Sequence, residues 1–263
     1  MKSKLVALDI DGTIIDKMAG IEMPAVVRET INEARAKGVR VCLCSSRPTF
    51  FMQDATKDLD EVDALIGCSG AEIEIEGKIF HRDVLSLPVV RGCIEIANKW
   101  DVYLSFSGDR TFYARRKNDE TSDYEAHPLF EFMDSDELLA LTEKIPVYCA
   151  YIFTEPGLPD DLVKNDPALA AATVQCSHKN SFMITDHDVD KSTGMLRLAE
   201  HWNIPREAIL AVGNDENDIS MLKAAGTSVA VGSANPMIFE YVDWIAPDVK
   251  NGGAAEAIRR YAL

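Results

Sequence analysis

Residues 5–13 read Leu-Val-Ala-Leu-Asp-Ile-Asp-Gly-Thr, an unbroken apolar run that ends in two carboxylates. A short apolar run of this kind predicts a strand buried on both faces. Because residues i and i+2 of an extended chain point to the same side, we expect Asp9 and Asp11 to meet at the carboxyl end of that strand, where open α/β sheets place their ligands. Like charges at that spacing repel each other, so the pattern predicts a cation between them. Mg²⁺, which prefers oxygen ligands, is the natural candidate.

Two other interpretations of this segment compete with a magnesium site. Asp-Gly is a common turn dipeptide, so Asp11-Gly12 could form an ordinary turn. A calcium-binding loop would require Gly at its sixth position and Glu at its twelfth. Counted from Asp9, those positions hold Ile14 and Gly20, which excludes the calcium loop.

The composition narrows the class of protein. A formal net charge of −16 argues against a surface that binds nucleic acid. The chain has 263 residues, of which 47% are hydrophobic, and this suits a packed core with an inserted or appended second domain. The six cysteines show no C-x-x-C spacing and no disulfide framework. No apolar run has the length of a membrane span or a signal peptide, so we expect a soluble, cytoplasmic protein without membrane partners.

Predicted strands and helices alternate in the first part of the chain and again after residue 185. In the first part, strands are predicted at 5–8, 39–44 and 64–68, with helices at 24–37 and through about Leu59. In the last part, helices are predicted at 191–202, 219–225 and 253–261, and strands at 208–212, 229–231 and 242–245. This alternation is typical of an α/β fold with a doubly wound, mainly parallel sheet.

Residues 82–185 differ from both flanks, and we assign them to an inserted α+β domain. Hairpin patterns surround Glu76-Gly77, just before this region, and residues 107–110 within it. Helices are predicted at 88–100 and 137–144, and a strand at 147–153. The predicted organisation is a doubly wound core made of residues 1–81 and 186–263, interrupted by a second domain at 82–185.

Polar clusters follow three of the predicted core strands. These clusters contain Asp9 and Asp11, Ser45–Arg47, and Asn214–Asp218, while Lys191 begins a helix between the last two. In a parallel sheet these strand ends lie at one edge. Together they offer carboxylates for Mg²⁺, a hydroxyl and backbone N–H groups for phosphate oxygens, and one ammonium group, which is the set of groups that phosphoryl transfer requires.

This set of motifs resembles the haloacid dehalogenase superfamily. The matching segments are Asp-Ile-Asp-Gly-Thr at 9–13, a small hydroxyl residue before Arg-Pro at 47–48, Lys191, and Gly-x-x-x-Asn-Asp-Ile-x-Met-Leu at 213–222. Their order is similar to that of the Cof-like phosphatases, which carry a large type-2 cap between the second and third motifs. Lys-Asn-Gly-Gly-Ala at 250–254 also resembles the end of that family. The resemblance implies a Rossmann-like core, with residues 82–185 as the cap.

The resemblance also implies a role for each matching residue. Asp9 would be the nucleophile that forms an aspartyl-phosphate. Asp11 would protonate the leaving oxygen and then activate water, and its backbone carbonyl would reach Mg²⁺. Lys191 would neutralise phosphate charge and orient Asp9. The implied metal ligands are Asp9, Asp11, Asn214 and Asp218, and the implied substrate-binding residues are Gly12, Ser45, Ser46, Arg47 and Asn217.

Three positions depart from the family pattern. Ser46 stands where Gly is usual, and Ser69 stands where Asn is frequent. Asn214 occupies a position that is usually a metal-binding Asp. An amide oxygen can bind Mg²⁺ but brings no charge, so we expect weaker binding of the metal. Asp215 would compensate only if the loop were shifted by one residue.

The predicted function is Mg²⁺-dependent hydrolysis of small phosphorylated metabolites, with sugar phosphates or cofactor phosphates preferred by resemblance. Two alternatives stay open at this point: a phosphomutase, and a catalytically weak phosphometabolite-binding protein, which Asn214 would favour. Arg47 would either contact the substrate or form a surface salt bridge. Five residues of the inserted domain are candidates for substrate selection: Tyr103, Arg110, Tyr113, His178 and Lys179.

Overall fold

The structure of the protein is a computed structural model that describes residues 2–52, 57, 59, 62–115, 127–154, 158–159, 161–178 and 180–263. The strands of the described residues are, in chain order, β1 (Leu5–Asp9), β2 (Arg40–Cys44), β3 (Ala64–Gly67), β4 (Glu72–Ile75), β5 (Lys78–Arg82), β6 (Tyr103–Ser107), β7 (Phe112–Arg115), β8 (Phe130–Met133), β9 (Cys149–Phe153), β10 (Ala172–His178), β11 (Ser181–Asp186), β12 (Ile209–Gly213), β13 (Thr227–Ala230) and β14 (Trp244–Ile245). The α-helices are α1 (Ala25–Ala36), α2 (Leu87–Trp100), α3 (Ser135–Thr142), α4 (Asp161–Lys164), α5 (Lys191–His201), α6 (Ile219–Ala224) and α7 (Gly253–Tyr261).

The larger sheet has the strand order β14-β13-β12-β1-β2-β3-β4-β5 within the described residues. The strands from β14 to β3 pair in parallel, and β4 runs antiparallel to β3. Since β1 lies between β12 and β2 and the chain winds outward on both sides of it, the sheet is doubly wound, as the sequence predicts.

Strand β1 is fully apolar until its last residue because it is covered on both faces. Leu5, Val6, Ala7 and Leu8 have no exposed surface. The register pairs Asp9 with Cys44 of β2 and Leu8 with Val212 of β12. The residues that follow β1, β2 and β12 therefore leave the sheet at the same edge, and this edge carries the candidate site.

The chain divides into two units, which we call the core unit and the inserted unit. The core unit consists of Met1–His81 and Asp190–Leu263, and the inserted unit of Arg82–Val189. This division falls four residues beyond the predicted end of the insertion at residue 185. The Thr185 hydroxyl donates a hydrogen bond of 2.6 Å to the carbonyl of Val189, which ties the turn after β11 to the inserted unit.

The inserted unit contains a six-stranded sheet with the order β10-β11-β9-β6-β7-β8 within the described residues. Its apolar core includes residues of α2 packed with alternate residues of β6, β9 and β11, among them Leu104, Phe106, Ile152, Phe182 and Ile184. The α+β character agrees with the prediction. Strands β8, β10 and β11 were not predicted from the sequence.

The predicted core elements agree with the structure to within a few residues. One exception is the helix predicted through Leu59, where the described residues show only a 3₁₀ turn at Thr49–Phe51, and the rest of that prediction lies outside them. Within the part of the chain that the structure describes, no helix combines the length and the apolar character needed to cross a membrane.

Candidate active site

Lys191 is the centre of the site. Its ammonium group donates a hydrogen bond of 2.7 Å to Oδ1 of Asp9 and another of 2.7 Å to Oδ1 of Asp218. Lys191 and Asp218 are fully buried, and Asp9 is 5% exposed. A buried cation is tolerated only when it is paired and hydrogen-bonded, and here two carboxylates share it.

Burial and charge shift the pKa values of this group in definite directions. Burial is the largest cause that raises the pKa of Asp9 to about 7, the nearby Asp218 carboxylate raises it further, and Lys191 opposes both. Burial alone would lower the pKa of Lys191, but the charges and hydrogen bonds of Asp218 and Asp9 outweigh it and raise that pKa well above its usual value. Lys191 therefore carries its charge throughout the neutral range.

The first turn of α5 is fixed so that Lys191 faces Asp9. Asp190 caps the helix, because its carboxylate accepts a hydrogen bond of 3.0 Å from the backbone N–H of Thr193. Gly70, with φ of +109°, lets the turn after β3 approach this cap, since a Cβ at that position would lie 2.0 Å from the carbonyl oxygen of Asp190. The close approach brings the start of α5 to the carboxyl edge of the sheet.

Asp218 holds the loop after β12. Its Oδ2 accepts hydrogen bonds of 2.8 Å from the backbone N–H of Asn214 and 3.1 Å from that of Asp215, while its Oδ1 accepts from Lys191. Gly213 is required here, since a Cβ at this position would lie 2.6 Å from the Cβ of Asp218. Both oxygens of Asp218 are thus occupied by N–H donors, which is not the arrangement expected of a metal ligand.

The loop after β2 presents Ser45 and Arg47. Ser45 is 2% exposed, and its hydroxyl accepts a hydrogen bond of 3.1 Å from the backbone N–H of Arg47. The buried carboxylate of Glu72 fixes the end of this loop by accepting hydrogen bonds from the backbone N–H and the hydroxyl of Thr49, at 2.9 and 2.8 Å. Glu72 was not among the predicted site residues, because a charged residue in an alternating strand gives no sign of burial.

Arg47 pairs with Asp11 through two parallel hydrogen bonds of 2.7 Å, from Nε to Oδ2 and from Nη2 to Oδ1. Bidentate pairs of this kind fix the orientation of both side chains. The Asp11 side chain is 45% exposed, so the carboxyl group lies where a substrate can reach it. Arg47 was expected either to contact the substrate or to form a surface salt bridge. The structure shows a salt bridge, and its partner is Asp11, a predicted catalytic residue.

Two of the departures from the family pattern contact each other. The Ser69 hydroxyl donates to the Ser46 hydroxyl at 3.3 Å, and the side-chain amide of Asn217 donates to the same hydroxyl at 2.9 Å. Ser69 has φ of +46°, and its backbone N–H bonds to the carbonyl of Ser45 at 3.0 Å, so the unusual turn supports the loop after β2. The structure therefore joins Ser46 and Asn217, both predicted substrate-binding residues.

The amide group of Asn214 lies beside Asp9. The amide atom that faces the site is 3.0 Å from Oδ2 of Asp9, 3.1 Å from the backbone carbonyl oxygen of Asp11 and 3.1 Å from the hydroxyl of Thr13. Gly12, with φ of +84°, makes this possible, because a Cβ there would lie 2.1 Å from the other amide atom. Thr13 was not among the predicted site residues, although it belongs to the matched motif.

These atoms fit a magnesium ion as a set of oxygen ligands. Neighbouring oxygens around octahedral Mg²⁺, with bonds of about 2.1 Å, are roughly 3 Å apart, and this is the separation between the Asn214 amide and both Asp9 Oδ2 and the Asp11 carbonyl. Within the described residues, no three side chains of the types His, Cys, Asp and Glu form a metal-binding group. Such a group is not expected at this site, because two of its three oxygen ligands are the side-chain amide of Asn214 and the backbone carbonyl of Asp11.

The predicted site residues of the core unit thus lie together at one edge of the sheet. In the inserted unit, Tyr103 and Tyr113 are half-buried on the paired strands β6 and β7, and Arg110 is exposed in the turn between these strands. His178 ends β10, and Lys179 lies outside the described residues.

Comparison with known proteins identifies the family. The family model described as haloacid dehalogenase-like hydrolase matches residues 6–258. A phosphoglycolate phosphatase of Methanothermobacter thermautotrophicus is 28% identical, over 98% of each chain. A putative bifunctional phosphatase/peptidyl-prolyl cis-trans isomerase of Streptococcus pyogenes is 24% identical over the whole of this chain, which spans 54% of its length.

Among solved structures, a haloacid dehalogenase-like hydrolase from B. subtilis has the same fold. Its TM-score is 0.86 at 24% identity, with 99% of this chain and 100% of that chain covered. The family model matches nearly the whole chain, and the fold brings the four motifs to one sheet edge. This match shows that the chain belongs to the haloacid dehalogenase-like hydrolases.

Proposed function

We propose that the protein hydrolyses small phosphorylated metabolites with the help of Mg²⁺, through an aspartyl-phosphate formed on Asp9. The observation that carries the proposal is the position of the Asp9 carboxylate. Oδ1 accepts a hydrogen bond from the buried ammonium group of Lys191, and Oδ2 lies 3.0 Å from the amide of Asn214, which is also 3.1 Å from the Asp11 carbonyl oxygen. A carboxylate fixed in this way is oriented for attack on a phosphoryl group.

The reaction would take place in two steps on the same phosphorus atom. In the first, an oxygen of Asp9 bonds to phosphorus while the bond to the leaving oxygen breaks, and Asp11 gives that oxygen a proton. In the second, Asp11 takes a proton from water as the water oxygen bonds to phosphorus and Asp9 is released. Lys191 would stabilise the charge on the transferring group, and the Ser45 hydroxyl would donate to one of its oxygens.

When bound, Mg²⁺ would neutralise charge on the phosphoryl oxygens. The residues that would hold it are Asp9, the carbonyl of Asp11 and Asn214. The sequence resemblance implied that Asp218 is a metal ligand. We propose instead that Asp218 holds Lys191 and the loop after β12, because both of its oxygens already accept hydrogen bonds.

We further propose that the inserted unit is a cap that selects the leaving group. It interrupts the core between β5 and α5, and its strands are mostly antiparallel, unlike those of the core. Substitutions within residues 82–189 should then change kcat/KM for a metabolite more than for p-nitrophenyl phosphate. Equal changes for both substrates would contradict a selecting role.

The direct test of the function is release of inorganic phosphate from a panel of sugar phosphates, cofactor phosphates and phosphorylated small acids, with Mg²⁺ and with EDTA. We expect release from at least one class of substrate, and loss of release with EDTA. An isomerised sugar phosphate without free phosphate would indicate a mutase. Binding without turnover would indicate a phosphometabolite-binding protein, and either result would overturn the proposal.

Asp11→Asn should lower turnover by roughly 10²–10⁴, since general acid and base catalysis contribute about this much. Both formation and hydrolysis of the aspartyl-phosphate should slow, because the same carboxyl group serves both steps. Rapid-quench kinetics with two leaving groups measures this, and a good leaving group should restore the first step but not the second. A variant that matches the wild type on a poor leaving group would show that Asp11 has another role.

A further inference from the structure

The side chain of Asn214 is confined between Asp9 and Gly12, with one amide atom facing three oxygens. Those oxygens are Asp9 Oδ2 at 3.0 Å, the Asp11 carbonyl at 3.1 Å and the Thr13 hydroxyl at 3.1 Å. The other amide atom lies over Gly12, which has no side chain to contact it. A half-turn of the amide about its last bond exchanges oxygen and nitrogen without moving the rest of the chain.

The two orientations have different hydrogen-bonding consequences. With the amide oxygen toward the site, only the Thr13 hydroxyl can donate to it, at 3.1 Å. The oxygen then faces two acceptors, Asp9 Oδ2 and the Asp11 carbonyl, which is favourable only if a cation lies between them. With the nitrogen toward the site, its NH₂ group lies within hydrogen-bond distance of those same acceptors and of the Thr13 hydroxyl, and no cation is required.

We propose that the Asn214 amide is an orientation switch. Its NH₂ group holds Asp9 and the Asp11 carbonyl together when Mg²⁺ is absent, and its oxygen turns toward the site when Mg²⁺ binds. Asn214 thus stabilises the metal-free form of the site, but it binds Mg²⁺ more weakly than a carboxylate at the same position would. This inference rests on the metal site of the proposed function, and it does not depend on turnover.

A carboxylate at position 214 would destabilise the metal-free site and strengthen the binding of Mg²⁺. It cannot donate to Asp9 or Asp11, and it places a second negative charge about 3 Å from Asp9 Oδ2. The metal-free form of Asn214→Asp should therefore unfold at a lower temperature than the wild type, by roughly 5 °C. With Mg²⁺ bound, the added charge attracts the ion, so affinity for Mg²⁺ should rise by on the order of tenfold.

The test compares wild type, Asn214→Asp and a matched control, Asn203→Asp. Asn203 is exposed in a left-handed turn after α5, a conformation that Asp also tolerates, so the control adds the same charge away from the site. Thermal unfolding in excess EDTA and in excess Mg²⁺ gives the stabilities, and calorimetric titration with Mg²⁺ gives the affinity. We expect Mg²⁺ to raise the unfolding temperature of Asn214→Asp much more than that of the wild type or Asn203→Asp.

The orientation is read directly from the side-chain ¹⁵NH₂ signal of Asn214, identified by its loss in Asn214→Asp. In EDTA its protons should be protected from exchange, and Mg²⁺ should shift the signal and remove that protection. The switch would be overturned by any of three results. These are an amide signal that Mg²⁺ does not change, equal unfolding temperatures of wild type and Asn214→Asp in EDTA, and no binding of Mg²⁺ by the wild type. If the switch is found but no substrate releases phosphate, the proposed function is wrong and the switch still stands.

Discussion

Asp9→Asn should abolish turnover, with a loss of roughly 10⁴-fold or more, as is found when the nucleophile of a covalent mechanism is removed. An amide has nearly the shape of the carboxylate but is too poor a nucleophile to form an acyl phosphate. Its oxygen can still accept from Lys191, which also keeps its partner Asp218. The fold should therefore survive, and the loss should appear in kcat and not in the unfolding temperature.

A matched control for Asp9→Asn is Asp16→Asn, in the loop that follows β1. The Asp16 carboxylate accepts a hydrogen bond of 3.0 Å from the backbone N–H of Ala19, and an amide oxygen can accept the same bond. Asp16→Asn should keep the activity of the wild type. Substantial phosphate release by Asp9→Asn, in protein whose peptide masses show Asn and no deamidated Asp at position 9, would show that Asp9 is not the nucleophile.

Lys191→Met should lower both activity and stability. Removing one partner from a buried ion pair typically costs about 3–5 kcal/mol, because the other charge is left without compensation. Here two carboxylates, Asp9 and Asp218, would face each other without the cation that both contact at 2.7 Å. Loss of one electrostatic group at the reacting centre should lower kcat by about 10²–10³ as well.

The stability and activity effects of Lys191→Met can be separated by a second substitution. In Lys191→Met/Asp218→Asn, one of the two uncompensated carboxylates is neutral, so part of the lost unfolding free energy should return while kcat stays low. Lys17→Met, at an exposed position, serves as the control for the change of residue type. Wild-type kcat in the double variant would show that Lys191 has only a structural role.

The sequence predicted the position of the site because three apolar strands each end in a polar cluster, and parallel strands share one carboxyl edge. The structure agrees with this prediction, since Asp9 pairs with Cys44 at the ends of β1 and β2 and the apolar residues of β1 are buried. Helix α5 was predictable for a different reason, since Met195, Leu198 and Ala199 recur at helical spacing after Lys191 and form its buried face.

Other features of the site depend on distances that residue types do not specify. The pairing of Arg47 with Asp11 joins residues 36 positions apart, and either could have contacted solvent. Occupation of both Asp218 oxygens depends on the turn at residues 214–218, which a motif cannot describe. The position of the Asn214 amide between Asp9 and Gly12 likewise required the fold, although the substitution itself was visible in the sequence.

The central claim is that Asp9 becomes phosphorylated during turnover. The most direct measurement is mass spectrometry of peptides from Asp11→Asn after rapid quenching with p-nitrophenyl phosphate. Its good leaving group should restore formation of the intermediate while hydrolysis stays slow in this variant, so the intermediate should accumulate. We predict the mass gain of one phosphoryl group on the peptide that contains Asp9, and its absence when the substrate is omitted. A phosphoryl group on a different residue, or turnover by Asp11→Asn with no phosphorylated peptide at any time point, would contradict the mechanism.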